Sequence, residues 1–261
     1  MKVYVSNLND YSYCPMRIYL TRVLGIRPEV SDGAMMGLMG HFARRELSLR
    51  QCRLIKRIDG HDELRNSLLE ELEGILRDMQ FIYKNKLYNI DVYDYIQKLR
   101  RELQNEIQIL SKKLCLMIND LGVEEATKRI TPWRVEFFIN SENLGISGRV
   151  DKIMKNPGIV PVEIKTGQVP EDVWLGDKLQ ICAYAMLLED KLNSNGSIDH
   201  GLVEYVRMME ERPVLMTENL RRSVLRIRDA IIDILDGEVP ERCNNDKKCN
   251  SCVYKSECFD I

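Results

Sequence analysis

Apolar residues recur along this chain with two different periods, and the change of period divides it. Between residues 62 and 82, Leu64, Leu68, Leu72, Ile75, Leu76 and Met79 step by three or four, which lines one face of an α-helix. Between 91 and 121, Val92, Ile96, Leu99, Leu103, Ile107, Leu110, Leu114 and Met117 keep that step and predict one long amphipathic helix. The KNKLYN segment at 84–89 is the predicted turn between the two. Ahead of them, residues 1–24 read as a short extended start followed by a helix from about Tyr11, and AMMGLMGHFARRELSLR at 34–50 reads as a second helix.

After residue 130 the pattern shifts toward strands. Trp133–Ile139, Leu144–Met154 and Ile159–Lys165 are predicted strands, joined by turns at 140–145 and at Asn156-Pro157-Gly158. A helix at 173–190, a hairpin at 200–216 around MEERP and a helix at 218–236 follow, the last ended by Gly237. The chain therefore reads as N-terminal helices (1–51), a helical insertion with charged outer faces (52–130), an α/β core (131–239) and a cysteine-bearing tail (240–261). The tail is poor in apolar residues and needs something other than a core to order it. No Pro/Gly/Ser linker and no internal repeat interrupts the chain.

The 261 residues are 44% hydrophobic and 30% charged, enough for one large domain or two small ones with a real core. The net charge of −2 gives no global positive field, so a nucleic-acid site would be a local groove helped by bound metal. No apolar run reaches membrane-spanning length, and MKVYVSNLND does not read as a signal peptide. A cytoplasmic protein with no membrane partner is expected, and in that compartment its eight cysteines are thiols or ligands rather than disulfides.

Glu163 and Lys165, in VEIKT, fall on the same side of a strand. Asp151 ends GRVD on the strand before, and pairing of the two strands brings all three side chains together. Two carboxylates at one point suit a hard cation such as Mg2+ or Mn2+, which activates water and neutralises phosphate charge. A neighbouring lysine stabilises developing charge. Taken singly, a Glu-x-Lys pair is ordinary surface decoration and Asp151 an ordinary turn residue. Gln180 and Tyr184 lie four apart on one helical face, and His41 sits on the Met-rich helix.

A second set consists of thiols: Cys249-x2-Cys252-x5-Cys258 in the tail and Cys14 in Tyr13-Cys14-Pro15. Spacing alone fits tetrahedral zinc and an iron–sulfur cluster equally. Either would tie the chain's two ends together and contribute to folding. Cys243 offers a fifth thiol that is a replacement ligand for Cys249 or free. Cys52, Cys115 and Cys182 fall in helical segments, where packing as small apolar residues is expected.

Together these motifs resemble the PD-(D/E)xK nuclease superfamily, and within it the RecB-like exonucleases. Gly40-His41 matches the family's helix histidine, and Gly148-Arg149-Val150-Asp151 its Gly-x-x-Asp strand. Glu163-Ile164-Lys165-Thr166-Gly167 matches its Glu-x-Lys motif, and Gln180-Ile181-Cys182-Ala183-Tyr184 its Gln-x-x-x-Tyr helix. The resemblance implies a restriction-endonuclease-like α/β fold, a mixed sheet flanked by helices. It implies His41, Asp151, Glu163 and the Ile164 carbonyl as ligands of Mg2+ or Mn2+, Lys165 as the catalytic lysine, and Gln180 and Tyr184 as orienting or DNA-touching groups.

One remote N-terminal cysteine and three C-terminal ones around such a core are similar to the CRISPR-associated RecB-like exonucleases, an arrangement shared with AddB-type nucleases and the eukaryotic nuclease–helicase of Okazaki processing. By that resemblance Cys14, Cys249, Cys252 and Cys258 hold a 4Fe-4S cluster in a C-terminal lobe. The implied activity is a metal-dependent exonuclease on single-stranded DNA or overhangs, 5′-to-3′, trimming fragments for the CRISPR integrase complex during adaptation. A homo-oligomer is open. A repair or replication nuclease, a non-catalytic iron–sulfur scaffold that hands DNA to an integrase, and a zinc-stapled structural protein are the alternatives. Arg44-Arg45, Lys98 with Arg100-Arg101, Lys112-Lys113, Arg149 and Arg221-Arg222 are candidate phosphate contacts, although acidic neighbours make a solvated helix face the simpler reading for most of these clusters. Tyr19, Tyr83, Tyr88 and Trp174 are candidate base-stacking residues, with core packing the default. The two insertion helices are candidates to arch over the site and admit only single strands.

Overall fold

A computed structural model describes residues 2–27, 32–57, 60–83, 92–155, 157–167, 169–192, 197–208 and 210–260. The expected 84–89 turn, Tyr88 and Asn156 lie outside them.

The sheet is organised around one long strand. β1 is Val3–Tyr4, β2 Arg134–Ser141, β3 Ile146–Lys155, β4 Ile159–Lys165, β5 His200–Tyr205 and β6 Glu210–Leu215. β2 runs antiparallel along one edge of β3. The other edge is shared: β1 pairs in parallel with Ile146 and Ser147, and β4 pairs antiparallel with Lys152–Lys155. β5 continues in parallel from β4, and β6 closes the sheet antiparallel. The mixed sheet and three of its predicted strands thus match the alternation read from residues 133–165.

α1 (Val5–Tyr13) begins well before Tyr11. Its two asparagines and aspartate are weak helix formers. What fixes it is a cap, in which Asn7 Oδ1 accepts from the Tyr4 N–H at 3.1 Å, and burial of Val5 and Leu8. α2 (Met16–Ile18) runs into a π-helical turn at Tyr19–Val23.

α6 (Leu175–Leu192) is buried along most of its length and lies against β3, β4 and β5, so its middle, Ile181–Leu188, is apolar on all sides apart from the Tyr184 hydroxyl. Gly148 lets its neighbours close in. A Cβ there would meet Val5 Cγ2 at 2.6 Å and Tyr184 Cε1 at 2.8 Å. α7 (Glu218–Leu235) is capped by Thr217, whose Oγ1 accepts from the Leu220 N–H at 3.2 Å, and Gly237 follows with φ of 113°.

A separate apolar cluster joins α3 (Asp32–Leu54), α4 (His61–Tyr83) and α5 (Val92–Ile130) through Met39, Ala43, Leu68, Leu72, Leu99 and Leu103. α5 breaks at Gly122, with φ of 77°. Arg44 is buried at this junction, paired with Glu106 at 2.8 and 2.6 Å and with Glu102 at 3.1 Å. It ties α3 to α5, which corrects its reading as a phosphate contact. Arg100 pairs with Glu73 and Arg221 with Glu189, both two-pronged. Tyr83 is buried, as core packing predicts, whereas Trp174 is 59% exposed. The buried Lys152 ammonium pairs with Glu204 at 2.5 Å and donates to the Ser48 hydroxyl. That contact fastens α3, which carries His41, to the sheet.

A third cluster, Met16, Leu20 and Tyr254, packs against Cys14, Cys252 and Cys258. It orders the tail, which forms the short helices α8 (Asp246–Asn250) and α9 (Lys255–Phe259). No helix among the described residues is long and apolar enough to cross a membrane.

Candidate active site

The β3–β4 ladder is paired from Lys155–Ile159 to Lys152–Val162. Asp151 and Glu163 are the next residues on each strand. There the Asp151 side chain takes over from the backbone, as Oδ2 accepts from the Ile164 N–H at 2.8 Å. Glu163 Oε1 lies 3.1 Å from the Lys165 ammonium. The strand pairing thus gathers the three motif residues at one point.

α6 completes the surroundings of the lysine. Lys165 Nζ is 2.8 Å from Asp177 Oδ1 and donates to Gln180 Oε1 at 2.8 Å. Tyr184, one turn further along, is buried. His41, on α3, lies within electrostatic reach of Asp151 and Lys165.

Burial sets the charges. It pushes Glu163 up to about 8, and the Asp151 charge acts the same way against the pull of Lys165. Burial also raises Asp151, countered by the Ile164 amide and by His41. It lowers His41, favouring a neutral imidazole with a free ring lone pair. The Lys165 ammonium is costly to bury, yet Glu163 and Asp177 hold it above the usual lysine value. Burial and the nearby carboxylates keep the Tyr184 phenol protonated.

A buried and a half-buried carboxyl, Glu163 and Asp151, whose like charges repel, within electrostatic reach of a neutral imidazole, form a donor set that fits a hard divalent cation. Among the described residues, no three His, Cys, Asp or Glu side chains are drawn tightly enough to enclose an ion in the present geometry.

Motif reasoning missed three residues here. Asp177 grips Lys165, and its position three before Gln180 on a helix was the available signal. Glu136 is flanked by the register pairs Val135–Lys152 and Phe137–Val150, which sets it opposite Asp151. It has φ of 49° and lies between Arg45 at 3.2 Å and Arg149 at 3.5 Å, a strained backbone of the kind that concentrates at functional sites. The third is Asn9, from α1.

At the other end of α1, Cys14, Cys243, Cys249, Cys252 and Cys258 line a single pocket, rimmed by Arg17, Arg242, Lys248 and Lys255. All five thiols are free. Burial and the neighbouring thiols raise Cys249 and Cys258, while Arg242 draws Cys258 down. Five cysteines from both ends of the chain, with cations around them, offer the sulfur donor type that a thiolate-bound metal or cluster takes.

The model of the PD-(D/E)XK nuclease superfamily matches residues 3–259. A CRISPR-associated exonuclease Cas4/endonuclease Cas1 fusion from Leptospira interrogans is 31% identical over 135 residues, 48% of this chain and 24% of its own. A CRISPR-associated exonuclease Cas4 from Rhodospirillum rubrum is 29% identical over 126 residues, 46% of this chain and 37% of its own. The matched segments therefore span well under half of these relatives. Among solved structures, that of SSO0001 overlays 63% of this chain and 78% of its own at 18% identity, with a TM-score of 0.33, too loose an overlay to carry an argument. The chain's relatives include a Cas4 exonuclease and a Cas4/Cas1 fusion, and with the family match running nearly end to end, the chain belongs to the PD-(D/E)XK nuclease superfamily.

Proposed function

We propose that this protein is a divalent-metal-dependent deoxyribonuclease that trims single-stranded DNA or overhangs from the 5′ end, and that it serves CRISPR adaptation. The observation that carries the reading is the meeting of Asp151, Glu163 and Lys165 where β3 and β4 diverge. His41, Asp151, Glu163 and the Ile164 carbonyl would hold Mg2+ or Mn2+, which when bound supplies Lewis-acid activation of water and charge neutralisation at phosphate. Lys165 offers an ammonium beside Glu163 for the charge that develops on the phosphate oxygens. Gln180 orients that ammonium, and Tyr184 is buried within electrostatic reach of Glu163 and Asp151.

The four thiols Cys14, Cys249, Cys252 and Cys258 would hold a 4Fe-4S cluster that staples α1 to the tail, with Cys243 as a spare. The endonuclease Cas1 portion of one relative's name supports a Cas1 protein as the partner, and in this reading the CRISPR integrase complex takes the trimmed DNA. The insertion helices reach toward the core, with Lys113 Nζ donating to the Met208 carbonyl at 3.0 Å, and would limit access to single strands.

The test is cleavage of 5′- and 3′-labelled single-stranded and duplex oligonucleotides, with and without Mn2+. Metal-dependent loss from the 5′ end of single strands, abolished in Lys165→Ala while DNA binding persists, is the expected result. Full activity of Lys165→Ala would end the proposal.

A further inference from the structure

A lysine ammonium rides on a flexible four-carbon stem and needs a fixed cage to hold one position. Besides Glu163 Oε1 at 3.1 Å, the cage around Lys165 has two acceptors from α6, Asp177 Oδ1 and Gln180 Oε1, each 2.8 Å from Nζ. One atom from outside α6 fixes both. Asn9 Nδ2 donates to Gln180 Oε1 at 2.9 Å and to Asp177 Oδ1 at 3.3 Å.

The assignment is chemically forced. Lysine only donates, so Gln180 must turn its oxygen to Lys165, and that oxygen then takes the Asn9 amide as its second donor. Asn9 reaches this spot because α1 crosses α6 at Gly176. A Cβ on Gly176 would lie 2.3 Å from Asn9 Oδ1 and 2.7 Å from Ser12 Oγ. The segment carrying Asn9 is also anchored at its far end on the cysteine lobe. Tyr13 Oη donates to the Lys248 carbonyl at 2.7 Å, and Lys248 Nζ donates back to the Tyr13 carbonyl at 3.1 Å.

We infer that Asn9 is a positioning residue for Lys165, holding its two α6 acceptors in register. Through Asn9, α1 connects the thiol pocket to the cleavage site. The inference rests on the nuclease reading above, in which Lys165 acts on the scissile phosphate.

Asn9→Leu keeps the side chain's bulk and deletes the donor. On a labelled single-stranded oligonucleotide with Mn2+, it is expected to lower turnover about tenfold while KM is unchanged, because a lysine misplaced by a fraction of an ångström costs rate rather than binding. Combining it with Gln180→Leu should cost no more than the worse single change, since both break one network. Lys165→Ala is measured alongside. An inactive Lys165→Ala with wild-type turnover in Asn9→Leu overturns the inference and leaves the nuclease reading standing, as does a raised KM at unchanged turnover. An active Lys165→Ala overturns the nuclease reading and the inference with it. If thermal melting shows that Asn9→Leu does not fold, Asn9→Ser is judged by the same criteria.

Discussion

The carboxylate of Asp151 accepts a hydrogen bond from the backbone N–H of Ile164 at 2.8 Å, exchanging a strand-to-strand bond for a side-chain one at the place where the two acidic residues converge. Asp151 is thus a structural acceptor and, in the proposed function, also a charged ligand, and two substitutions separate the roles. Asp151→Asn keeps an oxygen for the Ile164 amide and removes the charge, so cleavage should vanish while thermal stability holds. Asp151→Ala also strands the amide and should lower stability by about 1–3 kcal/mol. Thermal melting and cleavage of the two variants check the split.

Glu163 makes stability depend on pH. Its carboxyl is raised from 4.5 to about 8 in the fold, so the folded chain binds a proton that the unfolded chain releases. The contribution is fully present below the ordinary carboxylate value and is lost as pH rises through about 8. Without divalent metal, the melting temperature should fall across that window, and Glu163→Gln should remove much of the fall. The effect is on the order of a few kcal/mol, allowing for the coupling with Asp151 and Lys165. Added Mn2+ should reverse the trend and release a proton, which titration in buffers of different ionisation enthalpy reads directly.

Lys152 is a buried cation whose partner is Glu204. Glu204→Ala leaves it uncompensated and should destabilise the protein by about 3 kcal/mol, whereas Lys152→Met with Glu204→Leu should cost much less. Denaturant unfolding of the two variants tests this. Because the pair fastens α3 to the sheet, the single change should also weaken metal-dependent cleavage through His41.

Cluster binding at the thiol pocket predicts that anaerobically purified protein carries iron and sulfide in equal amounts. Cys14→Ala or Cys252→Ala should remove both and loosen the tail, detected as faster proteolysis after residue 240. Zinc in place of iron would contradict the iron–sulfur reading and leave the staple intact.

The strands and motif residues were legible because alternation and short spacing are local properties. Glu163 and Lys165 share one strand side by geometry alone, and the long helix of residues 92–117 declares itself through its apolar stripe. What escaped is non-local. The periodicity places a helix from about Tyr11, whereas α1 starts at Val5, held by packing under Gly148 although Asn7, Asn9 and Asp10 do not favour helix. Arg44 looked like half of a basic patch, yet its partners Glu102 and Glu106 lie on another helix. Asn9 meets Asp177 and Gln180 only through a helix crossing.

The central claim is that Asp151 and Glu163 share one cation and that Lys165 acts beside it. Its most direct test is single-turnover cleavage of single-stranded DNA across a Mn2+ titration, comparing wild type with Glu163→Gln. A saturating Mn2+ dependence in wild type and no cleavage at any Mn2+ concentration in the variant is the predicted result. Cleavage by Glu163→Gln at the wild-type rate and the same Mn2+ midpoint would contradict it.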